Sequence, residues 1–101
     1  MSGVGKLLKQ AQKMQRGIAE AQERLAAERL EVSHGGGAVR VIVDGHGLVH
    51  SLVLDPAFLR EDRALVEAAL VAALQEASAK ARACHETTMS KATAGFNLPG
   101  M

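Results

Sequence analysis

The 101-residue chain contains neither tryptophan nor tyrosine, and its aromatic residues are Phe58 and Phe96 alone. That argues against the single-stranded nucleic-acid modules that stack bases on aromatic platforms. A lone cysteine, Cys84, cannot close an intramolecular disulfide, which argues against a secreted, disulfide-stapled fold. Long apolar runs are missing too. The longest, Ala68 to Leu74, falls far short of the ~18–20 residues that cross a bilayer. The stretch Met1 to Gln15 has lysines but no following apolar run, so it does not read as a signal peptide. These absences predict a cytosolic protein with no membrane partner. An excess of one charge sign is absent as well. Twelve Lys+Arg against eleven Asp+Glu leave a net +1, which argues against a uniformly basic nucleic-acid binder.

What is present is a 48% hydrophobic, 23% charged chain, too apolar for a disordered segment and the right length for one small domain. In the first part, Val4, Leu7, Ala11, Met14, Ile18, Ala21 and Leu25 recur at alternating spacings of three and four. This is a heptad stripe on a helix, predicted over residues 3–29. Its narrow seam needs cover from the rest of the domain or from the same helix of a second chain.

The period then changes. Val39, Val41 and Val43 alternate with Arg40, Ile42 and Asp44, the pattern of a strand with one apolar face. Leu48 to Leu54 reads as a second strand, with Leu48, His50, Leu52 and Leu54 on one face and Val49, Ser51 and Val53 on the other. Asp44-Gly45-His46-Gly47 forms the turn between them, with the Asp-Gly pair supplying positive φ. Glu31 to His34 reads as a leading strand joined through Gly35-Gly36-Gly37. An antiparallel three-stranded meander over 30–54 follows, and it requires a covering layer.

Asp55-Pro56 suits the start of a helical turn, and a longer helix is predicted over 62–91. Between Leu65 and Leu74 this helix is apolar around nearly its whole circumference, so it is expected to be covered on more than one side. In so small a chain a partner subunit is expected to supply the second cover. Residues 1–93 form one α+β domain in the order α-β-β-β-α, and 94–101 read as a flexible tail.

The residues give little support for catalysis. Glu20, Glu67 and Glu76 stand singly, as solvated carboxylates do. Cys84 and His85 are neighbours on a helix, so their side chains diverge by about 100° and make a poor nucleophile–base pair. His34, His46, His50 and Cys84 lack zinc-ligand spacing. On a strand, His46 and His50 would share a face ~13 Å apart. The glycine triplet lacks the Lys-Ser/Thr ending of a phosphate loop. No enzyme activity, metal, cofactor or small-molecule substrate is expected.

Charge placement is the informative feature. Residues 1–19 hold Lys6, Lys9, Lys13 and Arg16 and no acid, a local +4; the other 82 residues hold 8 basic and 11 acidic side chains, −3. At 100° per residue the four cations occupy an ~80° stripe opposite the apolar seam. Helices that are merely solubilised normally mix signs to gain i,i+4 pairs. The pattern alone leaves two readings open: contact with a polyanion, or a solvated face on a protein–protein interaction module.

Lys9-Gln10-Ala11-Gln12-Lys13-Met14-Gln15, the Gly35-Gly36-Gly37 to Val39-Arg40-Val41 segment, and Leu54-Asp55-Pro56-Ala57-Phe58-Leu59 resemble the YbaB/EbfC family of bacterial nucleoid-associated proteins. The alanine-rich helix with Lys80 and Met89 and the Gly95 to Met101 tail share that likeness, which covers essentially the whole chain. The resemblance implies a tweezer-like homodimer with protruding helices. It also implies duplex DNA as partner, a nucleoid location, an influence on nucleoid organisation and gene expression, and no enzymatic activity. The site expected from the residues is Lys6, Lys9, Lys13 and Arg16, with Arg24 and Arg40 as weaker additions.

Overall fold

In a computed structural model, which describes residues 2–95, the first helix, α1, runs Ser2–Ala27. Lys, Gln, Glu, Arg, Leu and Ala, all good helix formers, fill most of it. It stops two residues short of the expected end because the Arg29 guanidinium takes up the last carbonyls, donating to Ala26 O at 3.0 Å and Glu28 O at 2.7 Å. Leu30 then already belongs to the sheet.

Strands β1 (Leu30–His34), β2 (Val39–Val43) and β3 (Val49–Leu54) form the expected antiparallel meander, ordered β1-β2-β3. The β1–β2 turn holds Gly35, Gly36 and Gly37 at φ of 66°, 68° and 97°, a run that side-chain-bearing residues would enter only with strain. One sheet face carries Val32, Val39, Val41 and Val43, which pack on Ala73, Ala77 and Ala81. Those alanines recur every four residues on one stripe of the second helix, α2, Arg63–Thr93. Small side chains there let the helix lie close against the valines, and Leu54, Phe58, Ala69 and Leu70 pack around the edge.

The β2–β3 pairing departs from strict alternation. Val39, Val41 and Val43 face Leu54, Leu52 and Val49, with an irregularity at Ile42/Val43. His50 is the extra residue, so Val49 shares the face of Leu52 and Leu54 instead of opposing them. The turn also differs from expectation. Gly47, at φ 86°, supplies the left-handed conformation, whereas Gly45 is needed for space: a Cβ there would lie 2.5 Å from Leu25 Cδ2 and 3.0 Å from Leu25 Cα. Gly45 N–H donates to Leu25 O at 2.8 Å, locking the hairpin to the end of α1.

After β3, Asp55 Oδ1 accepts from Ala57 N–H at 3.2 Å and Asp55 O from Phe58 N–H at 2.9 Å. This is the turn expected of Asp-Pro, and it leads into a 3-10 turn over Phe58–Arg60. The helix α2 then packs its first half on the sheet and its second half on α1, where Gln22 Nε2 reaches Met89 Sδ at 3.8 Å. The pairing of α1 with α2 is partial. Ala21 and Leu25 are fully buried and Met14 and Ile18 half-buried, but residues 3–13 are exposed throughout. The molecule is accordingly 71 × 24 × 16 Å. Of the predicted 94–101 tail, residues 96–101 lie outside the described residues.

Candidate nucleic-acid interface

The N-terminal half of α1 is an arm that its own fold leaves uncovered. Lys6, Lys9, Lys13 and Arg16 are all exposed on it. Their 3-4-3 spacing aligns them along one ridge, turned well away from the face that Met14, Ala21 and Leu25 bury. From Lys6 to Arg16 the ridge is about 15 Å long at 1.5 Å per residue. Lys13 and Arg16 flank Gly17 and Glu20 in a shallow depression of about 370 Å³. Gly17 sits close to the end of α2, its missing Cβ position 3.6 Å from Ala92 O. Glu20 follows Arg16 by one helical turn, so the cationic ridge ends there. Among the described residues, none of the four cations has an ion pair. The arrangement is a row of unneutralised point charges on a rigid support, suited to regularly spaced anions.

Of the two weaker additions, one continues the line of the row beyond Glu20 and the other stands apart from it. Arg24 is exposed farther along α1, and Arg40 is exposed on the sheet face opposite the core, level with Ser33 and Val53. The fold brings Lys6, Lys9, Lys13 and Arg16 together and leaves Arg40 on a separate surface.

The remaining chemistry-bearing residues are engaged locally. Glu67 pairs with Arg63 at 3.0 Å on an exposed helix face, and Glu76 meets His34 at 3.4 Å. No group of three or more His, Cys, Asp or Glu side chains among the described residues is placed to hold a metal. Asp44 is the one buried charged residue among those described, 4% exposed. Its Oδ1 accepts from the backbone N–H of His46 at 2.8 Å and of Leu48 at 3.1 Å, and its Oδ2 accepts from His50 Nε2 at 2.8 Å. The His50 hydrogen bond is the main reason the carboxyl is held down at about 2; burial opposes it, and the two backbone donors and the His50 charge add to it. His46 and His50 are therefore not two side chains spaced along one strand face. The first lies in the turn and the second at the strand irregularity, and Asp44 ties both to the hairpin. Sequence spacing gave no sign of this, because the links run through backbone amides and a bulge. The edge-to-face contact of His46 with His85, with ring centroids 6.1 Å apart, was equally hidden, being formed across 39 positions of chain.

Comparison with known proteins shows which family and fold the chain resembles. Residues 1–96 match the model of the YbaB/EbfC DNA-binding family. The chain is 40% identical over 96 residues to a nucleoid-associated protein of Anaeromyxobacter dehalogenans strain 2CP-C, covering 94% of this chain and 93% of that protein. A nucleoid-associated protein of Psychrobacter sp. strain PRwf-1 is 36% identical over 97 residues, covering 92% and 88%. Among solved structures, the uncharacterized protein HP0035 from Helicobacter pylori superposes with a TM-score of 0.70 at 25% identity, over 96% of this chain and 97% of that one.

Proposed function

The chain belongs to the YbaB/EbfC DNA-binding family, and from that premise we propose that it is a non-catalytic, nucleoid-located protein of the cytoplasm that binds duplex DNA as a homodimer through phosphate contacts. The observation that carries this reading is the exposed, unpaired row Lys6, Lys9, Lys13 and Arg16 on the projecting arm of α1. Lysine ammonium groups act on phosphates as point charges. Contacts to phosphate fix position without reading bases, so sequence preference should be weak. The scarcity of aromatics fits the same mode, since the arm carries no aromatic ring to stack on a base.

The case for a homodimer rests on apolar surface that the protomer leaves open. Strand β3 is a sheet edge, and Val49, Leu52 and Val53 on it are each nearly half exposed. On α2, Leu65 and Val71 are more than half exposed and Leu74 is 40% exposed. Unprotected apolar edge strands are rare in monomers because they recruit other chains. A second copy covering these residues supplies the second side expected of the α2 segment. With two arms, eight cations, four from each protomer, become available to phosphates.

The test is duplex affinity as a function of salt. If most of the eight cations engage, log K falls against log[salt] with a slope of about −5 to −7. Changing all four residues to Gln should largely abolish that dependence. A competing reading, a protein-docking arm, draws on the exposure of Val4, Leu7 and Leu8 on the same helix, 57–60%. Partners retained from nuclease-treated lysate, together with salt-independent DNA affinity, would favour it.

A further inference from the structure

A second cationic feature lies away from the arm, where the β2–β3 turn meets α2. There Gly45, His46 and Gly47 face Ser78, Arg82 and His85 across an open cleft of about 240 Å³. At roughly 30 Å³ per water this holds about eight waters, enough for a phosphate group with part of its hydration shell. None of its lining residues is acidic. The one carboxylate in the adjoining turn, Asp44, has both oxygens occupied by His50 and by the His46 and Leu48 amides. Among the described residues, neither Arg82 nor His85 has an ion pair or a side-chain hydrogen bond, so the donors of both are unspent. The wall opposite them is held in place: His46 Nε2 donates to Gln22 O at 3.0 Å, and its ring meets His85 edge to face. That hydrogen bond fixes which His46 nitrogen carries the proton.

A divalent cation fits this cleft poorly, because the Arg82 charge would repel it and only two imidazoles would ligate. An apolar ligand fits no better, since so open a cleft would leave it largely in water. A tetrahedral oxyanion fits well. The guanidinium presents a planar fork of donors that matches phosphate oxygens, with the His85 imidazole and the Ser78 hydroxyl beside it on the same helix.

We propose that this cleft is a phosphate-binding site, with Arg82 as the principal ligand, His85 and Ser78 as further donors, and His46 as the positioning residue that fixes the His85 ring. The phosphate can come from a duplex backbone or from free phosphate, and the chemistry of recognition is the same. The cleft is separate from the α1 arm and would bind phosphate whether or not the arm binds DNA.

Imidazole NMR signals of the full-length protein, followed at fixed pH, test it in two arms. In one, inorganic phosphate replaces chloride at constant ionic strength; in the other, a short random-sequence duplex is added. Saturable shifts of the His85 and His46 signals are expected in at least one arm. Arg82→Gln should weaken the response about tenfold, and Arg82→Lys should restore part of it. Arg82 is exposed, so both variants should fold. A response to the duplex alone identifies the backbone as the source, and a response to inorganic phosphate identifies a site open to the free ion. The proposal is overturned if phosphate and chloride act alike while the duplex has no effect, or if Arg82→Gln responds as the wild type does.

Discussion

Replacing Gly45 with alanine adds one methyl group at the junction on which the relation of sheet to α1 depends. That methyl would sit 2.5 Å from Leu25 Cδ2 and 3.0 Å from both Leu25 Cβ and Cα. The first clash falls on the far end of the Leu25 side chain, which is fully buried, so a new rotamer must displace packed neighbours. The close approach to the Leu25 backbone yields only if α1 and the hairpin separate. Overpacking of this kind costs about 1–3 kcal/mol. Separation would also stretch the 2.8 Å bond from Gly45 N–H to Leu25 O, worth about 1 kcal/mol. Together they predict a loss of about 2–4 kcal/mol, a large share of the ~5–15 kcal/mol that holds a typical domain. Urea denaturation of Gly45→Ala, at matched protein concentration, measures it. Gly5→Ala is the control: its added methyl meets open space, so it should stabilise α1 by up to ~1 kcal/mol. In a Leu25→Ala background the cost of Gly45→Ala should shrink, because the nearest clash is gone. A Gly45→Ala protein within about 0.5 kcal/mol of wild type, roughly the scatter of a neutral surface change, would refute this packing role.

The Asp44 carboxyl, lowered from 3.8 to about 2, contributes stability that is fully present above pH 3.8 and is lost as pH falls through about 2. At 1.36 kcal/mol per pH unit, discounted for the partly exposed His50 partner, this amounts to about 1–2 kcal/mol. Asp44→Asn keeps an acceptor for the His46 and Leu48 amides but should flatten the acid limb of stability against pH, and equal slopes for both proteins would contradict the assignment. For association, Leu74→Asp and Val71→Asp should leave a folded protomer whose self-association is at least about tenfold weaker by sedimentation, while unchanged association would move the interface elsewhere. Leu70→Asp should behave differently, unfolding the protomer, because Leu70 packs against the protomer's own core; retained folding in circular dichroism would count against that placement.

Periodicity carried most of the fold. The valine alternation of β2, the glycine triplet and the alanine-rich helix each have local causes, and each element formed within two residues of its expected limits. The heptad seam was legible as a stripe but not in its cover, because where α2 ends relative to α1 is a tertiary fact. It leaves Val4 and Leu7 open and closes over Ala21 and Leu25. The strand irregularity at His50 was invisible for a related reason: alternation assumes an unbroken ladder, and the Asp44 bonds that reshape it come from the turn. Gly45 reads in sequence as a turn residue supplying positive φ, whereas its role is to admit Leu25. The basic ridge, by contrast, was readable in full, since four residues on one helix need only the helical repeat to be placed together. The His46–His85–Arg82 cleft needed two distant segments to meet, and no local pattern announces it.

Binding of duplex DNA by the α1 arm, through phosphates, is the central functional proposal. It is tested by affinity for a random-sequence duplex across a salt series, for the wild type and for the variant with Lys6, Lys9, Lys13 and Arg16 all changed to Gln. A steep log–log slope for the wild type, near about −5 to −7, that collapses in the variant while its circular dichroism is unchanged is the predicted result. A shallow wild-type slope, or a variant that binds as tightly and as salt-sensitively as the wild type, would contradict it.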